Sequence, residues 1–249
     1  MQLTGKTILM AGGTSGIGLG LALRLHAAGN RVIVAGRREE VLRRIAADHP
    51  GVDTAVLDIA DPTSISAVRD QVLASHPELD VVVAMAGIMQ PEDLRDPASI
   101  VTAERTVTTN LLGPIRLISA FVQHLESRPD AAVITVTSGL AYVPLPVAPT
   151  YSATKAAMHS YTDSLRVHLA DTSVQVIELA PPLVRTTLMG NQDNEHGMPL
   201  EDFLDETMSL LAAEPDARQI LVERVKFLRF AEATGQYDAV LGRQSMLPG

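Results

Sequence analysis

The chain has 249 residues, of which 46% are hydrophobic and 20% are charged, and it contains no Cys. Its 20 basic and 29 acidic residues give a formal net charge of −9, which argues against a nucleic acid or an anionic membrane surface as the partner. Without Cys the chain has no thiolate nucleophile, no Cys-ligated zinc and no iron–sulfur cluster.

Short apolar runs alternate with longer segments of helical periodicity over the first 180 residues. The apolar runs are continuous in Val, Ile, Leu and Ala, which is typical of strands buried on both faces of a parallel sheet. They cover residues 7–10, 31–35, 52–57, 80–85, 131–137 and 173–179, and the helical segments cover 17–28, 39–48, 62–75, about 97–125 and 151–169. The alternation predicts an α/β fold, with a Rossmann-type doubly wound parallel sheet in a three-layer αβα arrangement.

Two helix boundaries are indicated by single residues. Asp61 before Pro62 is typical of an N-cap followed by the first helical residue. Gly29 follows the first helical segment and predicts a left-handed C-terminal cap, because Gly adopts that conformation without steric cost.

A glycine-rich turn lies between the first predicted strand and the first predicted helix. Residues 11–18 read Ala-Gly-Gly-Thr-Ser-Gly-Ile-Gly. A plain strand–helix turn would also be rich in Gly, but free N–H groups and the dipole at a helix start attract a pyrophosphate. We therefore expect Gly12 to permit the tight turn, Gly16 the close approach of phosphates, and Gly18 the packing of the helix on the sheet.

The end of the second predicted strand indicates which dinucleotide is bound. In dinucleotide-binding folds an acidic residue about 20 positions further on binds the ribose 2′-hydroxyl, whereas a nearby Arg accommodates a 2′-phosphate. Here Gly36 stands at the acidic position, and Arg37 and Arg38 follow it. A solvated helix start would also explain the two arginines, although cations are unfavourable at a helix N-terminus. We expect NADP(H) to be favoured over NAD(H).

The stretch from residue 131 to residue 154 is uncharged and long enough to raise the question of a membrane span. It contains Pro144, Pro146 and Pro149, so we expect no spanning helix. The first residues from Met1 lack a basic segment and a long apolar run, which argues against a signal peptide. These features predict a cytoplasmic protein with no membrane partner.

Tyr151 and Lys155 are four residues apart at the start of a predicted helix, so their side chains share one helical face. A phenol with an ordinary pKa near 10 is a weak acid, and an adjacent ammonium is expected to lower the pKa of Tyr151. Tyr151 is then suited to donate a proton to a carbonyl or accept one from an alcohol. A surface Tyr–Lys contact is the alternative, but Ser138 closes the fifth predicted strand at the edge where ligands bind.

The pattern changes beyond residue 179. Residues 180–199 are rich in Pro, Gly, Asn and Thr, and helices are predicted at 200–213 and 215–231. The apolar stripe of the first of these helices is typical of a core helix, but its position after a long loop would equally suit the roof of a pocket. We expect residues 187–214 to form a substrate loop and helix, within one domain that spans residues 1–249.

The motifs and their order resemble the short-chain dehydrogenase/reductase family from about residue 5 to residue 188. The resemblance rests on Gly12, Gly16, Gly18, Ser138, Tyr151 and Lys155. Three departures stand out. Residues 84–87 read Ala-Met-Ala-Gly instead of Asn-Asn-Ala-Gly, Pro182 replaces a Gly after Pro181, and no final strand is recognisable. The tail at residues 222–230 is similar to that of the DltE-like subgroup.

This resemblance implies a role for each site residue. Tyr151 would be the acid/base, Lys155 would lower its pKa and bind the nicotinamide ribose, and Ser138 would hydrogen-bond the substrate oxygen. Asn110 would hold a proton-relay water near Lys155. The cofactor would be bound by Gly12, Thr14, Ser15, Gly16, Ile17, Gly18, Arg37, Arg38, Asp58, Ile59, Ala86, Gly87, Tyr151, Lys155, Pro181, Val184 and Thr186. For Asp58 a helix N-cap is the structural alternative.

The resemblance further implies NADPH-dependent reduction of a ketone or aldehyde carbonyl of a small molecule, reversible as alcohol oxidation. A non-catalytic NADP-binding sensor or scaffold of the same fold stays open, although a pure binder has no use for a proton relay. A nucleotide-sugar epimerase would also use Tyr and Lys, but such chains normally carry a larger C-terminal substrate domain.

Assembly and metal binding complete the expectations. Family members commonly pair the helices predicted near residues 101–125 and 151–169 across a two-fold axis, so a homodimer or homotetramer is expected. The seven His show no ligand spacing, and no metal is predicted. His159 and His168 are expected at the surface or an interface, and His196 in the substrate loop.

Overall fold

The computed structural model describes residues 4–246 and contains a parallel sheet of seven strands. The strands are β1 (Thr7–Ala11), β2 (Arg31–Gly36), β3 (Val52–Val56), β4 (Val81–Ala84), β5 (Ala131–Val136), β6 (Val174–Leu179) and β7 (Gln219–Ile220). Their order is β3-β2-β1-β4-β5-β6-β7, so the winding reverses between β1 and β4. Ala11 pairs with both Ala35 and Ala84, so three strands end at one level. A ligand crevice is expected at this reversal point.

Helices cover both faces of the sheet. They are α1 (Gly16–Ala27), α2 (Glu39–Asp48), α3 (Pro62–Ser75), α4 (Ser99–Val107), α5 (Gly113–Glu126), α6 (Pro149–His168), α7 (Leu200–Ala213), α8 (Lys226–Arg229) and α9 (Tyr237–Gln244). One buried cluster joins the sheet to α1, α2 and α7, and the other joins it to α3, α5 and α6. The predicted three-layer α/β fold is confirmed. Between residues 4 and 246, no helix is both long enough and apolar enough to cross a membrane.

The predicted elements of the first 180 residues agree with the structure to within two residues at nearly every end. Asp61 caps α3, and its Oδ1 accepts a hydrogen bond from the Thr63 N–H at 2.9 Å. Gly29 has φ +89° after α1, as a left-handed cap requires. The segment predicted near 97–125 is interrupted, because a π-helical turn (Thr108–Leu112) separates α4 from α5.

The region after α7 differs from the prediction. The helix expected at 215–231 is wrong, and so is the expected absence of a final strand, because β7 lies there. Gln219 pairs with Glu178 and Ile220 with Leu179, and the Glu178 N–H donates to the Arg218 carbonyl. Pairing with β6 overrides local helix preference, and a strand of two residues leaves no recognisable period. Helices α8 and α9 follow as a C-terminal extension. Positions 1–3 and 247–249, which the single-domain and signal-peptide expectations include, lie outside the described residues.

The apolar stripe of α7 belongs to the core. Phe203 and Leu204 are fully buried, and Leu211 is nearly so. A Cβ at Gly20 of α1 would lie 2.3 Å from the Leu204 Cδ1, so the two helices are in close contact. The stripe therefore packs α7 onto the sheet and α1, and the alternative of a pocket roof does not apply to these three residues.

Thr207 of α7 has a buried hydroxyl with no hydrogen-bond partner among residues 4–246, and it lines a small apolar cavity with Leu21 and Leu211. We expect Thr207→Val to raise the free energy of unfolding by about 1 kcal/mol, because it removes an unsatisfied polar group at nearly constant volume. Urea unfolding measures this change. Thr162→Val is the matched control, since the Thr162 hydroxyl bonds to Thr135 at 2.8 Å, and it should destabilise the chain. A destabilised Thr207→Val chain would contradict the prediction.

Candidate active site

The glycine-rich turn lies at the reversal point of the sheet. Gly12 has φ +99°, and its N–H donates to the Ala35 carbonyl at 2.9 Å. A Cβ at Gly12 would lie 2.5 Å from the Ala86 backbone N, and one at Gly18 would lie 2.3 Å from the Gly12 carbonyl oxygen. Both positions therefore require Gly. Ser15, the N-cap of α1, makes no side-chain cap hydrogen bond, which leaves the helix start suited to an anion.

The ends of the turn and of β2 meet at Thr14. A Cβ at Gly36 would lie 2.5 Å from the Thr14 Cγ2, so a larger residue at the acidic position requires Thr14 to move. Arg38 donates from Nη2 to the Thr14 hydroxyl at 3.3 Å, and Arg37 beside it is exposed. A guanidinium is thus anchored at the end of β2, and no carboxylate stands at position 36.

Asp58 and Ile59 follow β3. The Asp58 Oδ1 accepts from the Ala60 N–H at 2.9 Å, which closes a local turn. The N-cap of α3 is Asp61, so the alternative of Asp58 as helix N-cap is excluded. Ile59 is buried, and a Cβ at Gly113 would lie 2.6 Å from its carbonyl oxygen. These contacts fix the conformation of the turn at Asp58 and Ile59, beside the crevice.

Asn110 lies in the π-helical turn and is almost fully buried. Its side chain accepts from the Ile88 N–H at 2.8 Å and donates to the Ile88 carbonyl at 2.7 Å. A Cβ at Gly87 would lie 3.4 Å from the Asn110 Oδ1 and 3.7 Å from the Lys155 Nζ. The end of β4, the π turn and α6 therefore converge on Lys155.

Ser138, Tyr151 and Lys155 are buried together at the carboxyl end of β5. Tyr151 and Lys155 lie in the first two turns of α6, and the Lys155 Nζ is 5.5 Å from the centre of the Tyr151 ring. The Lys155 ammonium donates to the Val136 carbonyl at 2.8 Å. Ser138 follows β5, and its hydroxyl oxygen accepts from the Leu140 N–H at 3.1 Å. The structure thus brings the three residues together at one edge.

The pKa shifts of this pair differ from the expectation. Burial raises the pKa of Tyr151 to about 12, and a hydrogen bond with Ser138 acts in the opposite direction. Burial lowers the pKa of Lys155 to about 8. The expected lowering of the Tyr151 pKa by Lys155 is therefore wrong, because loss of solvent on burial is the largest cause of the shift and raises the pKa. At neutral pH the phenol holds its proton and Lys155 is mostly charged.

The segment after β6 joins the two halves of the crevice. The Pro181 carbonyl accepts from the Gly139 N–H at 2.9 Å, next to Ser138. Val184 is buried and forms an isolated bridge with Met198. A Cβ at Gly16 would lie 3.4 Å from the Thr186 Cγ2, so this segment reaches the glycine-rich turn.

Arg185 holds the following loop together. Its Nε donates to the carbonyls of Asn194 and Gly197 at 3.0 and 3.1 Å. A 3-10 helix (Leu188–Asp193) lies within this loop, and His196 is exposed on it. The loop therefore has a defined base beside Thr186.

His159 and His168 differ in their surroundings. His168 is exposed, but His159 is largely covered, and its Nδ1 lies 2.9 Å from the buried Glu178 carboxylate. The expected position of His159 at the surface or an interface is not contradicted, because its side chain is 24% exposed, but β6 also places a carboxylate beneath it. Glu178 itself was not predicted, and its one sequence signal is an acid at the end of a mostly apolar strand. Across residues 4–246 no cluster of His, Asp and Glu is arranged to hold a metal ion.

Comparisons with known proteins agree with this geometry. The family model described as short chain dehydrogenase matches residues 6–197. The chain is 38% identical over 242 residues to "Uncharacterized oxidoreductase DltE" of Bacillus subtilis, with 96% of each chain covered. It is 31% identical over 198 residues to "Dehydrogenase/reductase SDR family protein 7-like" of Drosophila melanogaster, covering 76% of this chain and 60% of that protein.

Solved structures share the fold. A short chain dehydrogenase from Burkholderia cenocepacia, in complex with NADP, superposes with a TM-score of 0.83 at 24% identity and full coverage of both chains. A short-chain dehydrogenase from Streptomyces avermitilis gives a TM-score of 0.81 at 25% identity, covering 96% of this chain and 94% of that one. The architecture of the whole described chain is therefore that of known short-chain dehydrogenases.

The buried ammonium of Lys155 lowers stability near neutral pH. Because its pKa of about 8 in the folded chain lies below the ordinary lysine pKa of 10.5, folding disfavours the charged form, and this cost disappears as pH rises from 8 to 10.5. We expect Lys155→Met to raise the free energy of unfolding at pH 7 by about 1–3 kcal/mol, with a smaller difference at pH 10.

Urea unfolding at both pH values measures this difference. Lys226→Met is the control, since Lys226 is a surface residue paired with Glu223, and it should change stability little at either pH. A Lys155→Met chain that is less stable than wild type at pH 7 would contradict the assignment of a costly buried charge.

Proposed function

This chain belongs to the short-chain dehydrogenase/reductase family of NAD(P)-dependent oxidoreductases, and we propose that it is an NADPH-dependent carbonyl reductase. Its substrate is a ketone or aldehyde of a small molecule, and the reverse reaction oxidises the corresponding alcohol. The observation that carries the proposal is the buried group of Ser138, Tyr151 and Lys155 beside the phosphate-binding turn.

The four polar residues of the site divide the proton chemistry. Tyr151, with a pKa of about 12, holds its proton at neutral pH and donates it to the substrate oxygen as that oxygen becomes basic. Ser138 holds the same oxygen by a hydrogen bond, which adds a second donor at the point where charge develops. Lys155 stabilises the phenolate that remains. Asn110, whose side chain is fixed by hydrogen bonds to Ile88, holds the water of the proton relay near Lys155, through which Tyr151 regains its proton.

The residues of the crevice fit a nicotinamide dinucleotide. Gly12 shapes the turn, and the absent Cβ at Gly16 leaves the backbone at the start of α1 accessible to a pyrophosphate, with Thr186 next to it. When bound, the nicotinamide supplies the hydride for the carbonyl carbon. Lys155 would hold the ribose, and the segment with Pro181 and Val184 would hold the carboxamide.

The preference for NADP(H) rests on the end of β2. Gly36 offers no carboxylate for a ribose 2′-hydroxyl, and Thr14 fills the space that an acidic side chain would need. Arg38 is anchored to Thr14, and Arg37 is exposed beside it, so two guanidinium groups are available to one phosphate. Asp58 and Ile59 form the adenine end of the site.

Two features of the assembly and the loop belong to the same proposal. Residues 187–214 act as the substrate loop and helix, and Arg185 fixes the base of the loop. The chain forms a homodimer or homotetramer through α4, where Ile100 and Val101 are exposed, whereas α5 packs Leu117, Ile118 and Phe121 into the core. The apolar stripe of α6 contributes less, because Tyr161 and Leu165 pack against the core.

A non-catalytic NADP-binding sensor is the rival function. It explains the phosphate-binding turn and the arginines, but it gives no reason to bury a phenol, a hydroxyl and an ammonium together at an energetic cost. A nucleotide-sugar epimerase would use the same Tyr–Lys pair, but its reaction has no net oxidation or reduction and would not consume NADPH. Turnover of NADPH with a carbonyl compound therefore separates the three functions.

We expect wild-type enzyme to oxidise NADPH in a screen of ketones, aldehydes and quinones, and Tyr151→Phe to lower kcat about 10²–10⁴-fold. NADPH affinity, measured by nicotinamide fluorescence, should stay within about twofold, because only the proton donor is lost. Tyr161→Phe, on the same helix but facing the core, is the control and should keep normal turnover. A near-normal kcat for Tyr151→Phe refutes the mechanism, whereas wild-type binding of NADPH without turnover favours the sensor.

Arg37→Ala and Arg38→Ala should each raise the KM for NADPH about tenfold or more and leave the KM for NADH comparatively unchanged. A charge-assisted hydrogen bond to phosphate contributes about 1.5–3 kcal/mol, which corresponds to that change. Arg44→Ala, an exposed cation further along α2, is the control for loss of surface charge. If wild-type enzyme prefers NADH, the argument from Gly36 and the two arginines fails.

A further inference from the structure

Glu178 is a fully buried carboxylate that the proposed reaction does not use. It lies in β6 between the apolar residues Ile177 and Leu179, and its side chain faces α6. Burying a carboxylate is costly, and replacing a buried ion pair with apolar residues often leaves stability unchanged or higher. The residue therefore calls for an explanation other than stability alone.

Four donors surround the Glu178 carboxylate. Its Oε1 accepts from the Thr137 hydroxyl at 2.6 Å and from the Tyr142 hydroxyl at 3.1 Å. Its Oε2 accepts from the Gln219 amide at 2.6 Å and lies 2.9 Å from the His159 Nδ1. We name these five residues the Glu178 hub. Each of the two carboxylate oxygens therefore lies within hydrogen-bonding distance of two polar groups.

Arg229 of α8 secures the outer side of the hub. Its Nε donates to the Gln219 Oε1 at 3.1 Å, and its guanidinium lies 4.6 Å from the centre of the Tyr142 ring. His159 meets the same ring edge-on at 5.0 Å. Burial and the Glu178 carboxylate raise the pKa of Tyr142, so its hydroxyl stays a donor. Tyr142 is thus held at its ring and at its hydroxyl.

The hub is attached to the elements that carry the reaction. Thr137 directly precedes Ser138, and Tyr142 follows the 3-10 turn (Gly139–Ala141) that the Ser138 side chain caps. His159 lies one helical turn beyond Lys155 on α6. The hub therefore connects the chain on both sides of Ser138 to the helix of Tyr151 and Lys155, through side chains of β5, β6, α6 and β7.

We propose that Glu178 is a positioning residue, which holds the Ser138 segment in register with Tyr151 through the hub. The role of the hub in the reaction rests on the proposed carbonyl reductase function, whereas the geometry of the hub is independent of that function. The phosphate-binding turn, on the opposite half of the sheet, is independent of Glu178.

Glu178→Gln tests the proposal with little change in volume. The amide presents a donor where an acceptor is needed, so the hub loosens and the Ser138 hydroxyl shifts. With the carbonyl compound that the screen turns over fastest, we expect kcat to fall about tenfold or more, since small misplacements of reacting groups are costly. The KM for NADPH should stay within about twofold. A merely structural role would not separate the two constants in this way.

Asp80→Asn is the matched control. Asp80 is a buried carboxylate directly before β4, at the amino ends of the strands and away from Ser138. It accepts from the Thr7 N–H at 3.1 Å and from Arg128. This variant should lose stability and keep its kcat. An equal loss of kcat in Asp80→Asn and Glu178→Gln would overturn the proposal, because it would reduce the effect to general destabilisation.

Amide hydrogen exchange provides a readout that does not depend on turnover. In Glu178→Gln the peptide covering residues 138–143 should exchange faster, while the peptide covering residues 12–18 should not change. If wild-type enzyme reduces no carbonyl compound, the proposed function fails, and exchange alone decides whether Glu178 holds the Ser138 segment. Unchanged exchange at residues 138–143 overturns the proposal whatever the kinetics.

Two further variants apply if Glu178→Gln folds poorly. Tyr142→Phe removes one donor, and we expect a smaller fall in kcat with the same faster exchange at residues 138–143. The double variant Glu178→Gln with Gln219→Glu restores a carboxylate–amide pair in reversed orientation, so it should recover part of the lost kcat. Wild-type kcat and exchange in Tyr142→Phe, or no recovery in the double variant relative to Glu178→Gln, would count against the hub.

Discussion

The burial of the Lys155 ammonium is the physical constraint on which the rest of the site depends. A charge with only 5% of the residue exposed needs partners, and the Val136 carbonyl at the end of β5 supplies one. The residues around it are small or polar for the same reason, since Gly87 and Asn110 lie at its side. A site of this kind is retained for its chemistry, because an apolar side chain would be easier to bury.

Much of the fold could be predicted because its signals are local. The buried strands are continuous apolar runs, and α2 and α3 begin and end at the predicted residues. Asp61 and Gly29 mark helix ends through interactions within a few residues. The candidate site could be predicted from local signals in the same way. The spacing of Tyr151 and Lys155 on one helix, and the placement of Ser138 after β5, predict that the three side chains lie close together.

The features that sequence reasoning missed all depend on distant parts of the chain. β7 is a strand only because β6 is there to pair with it. The direction of the Tyr151 pKa shift is decided by burial among several elements rather than by its neighbour four residues away. The contact of His159 with Glu178 could not be predicted from the sequence around His159, because it depends on the position of β6 beneath α6. In each case the deciding partner is remote in sequence, and no local period or spacing records it.

The two halves of the sheet carry different parts of the candidate site, and small side chains join them. The glycine-rich turn and the two arginines follow β1 and β2, whereas Ser138 follows β5, Glu178 lies in β6, and α6 carries Tyr151 and Lys155. The contacts of Gly12 with Ala86 and of Gly16 with Thr186 join the halves. The divergent tail contacts the second half through Leu228, because a Cβ at Gly139 would lie 2.5 Å from the Leu228 Cδ1 of α8. Under the proposed function, sequence change at Leu228 would reshape the wall next to Ser138 without altering the glycine-rich turn, so substrate selection and cofactor selection would vary separately.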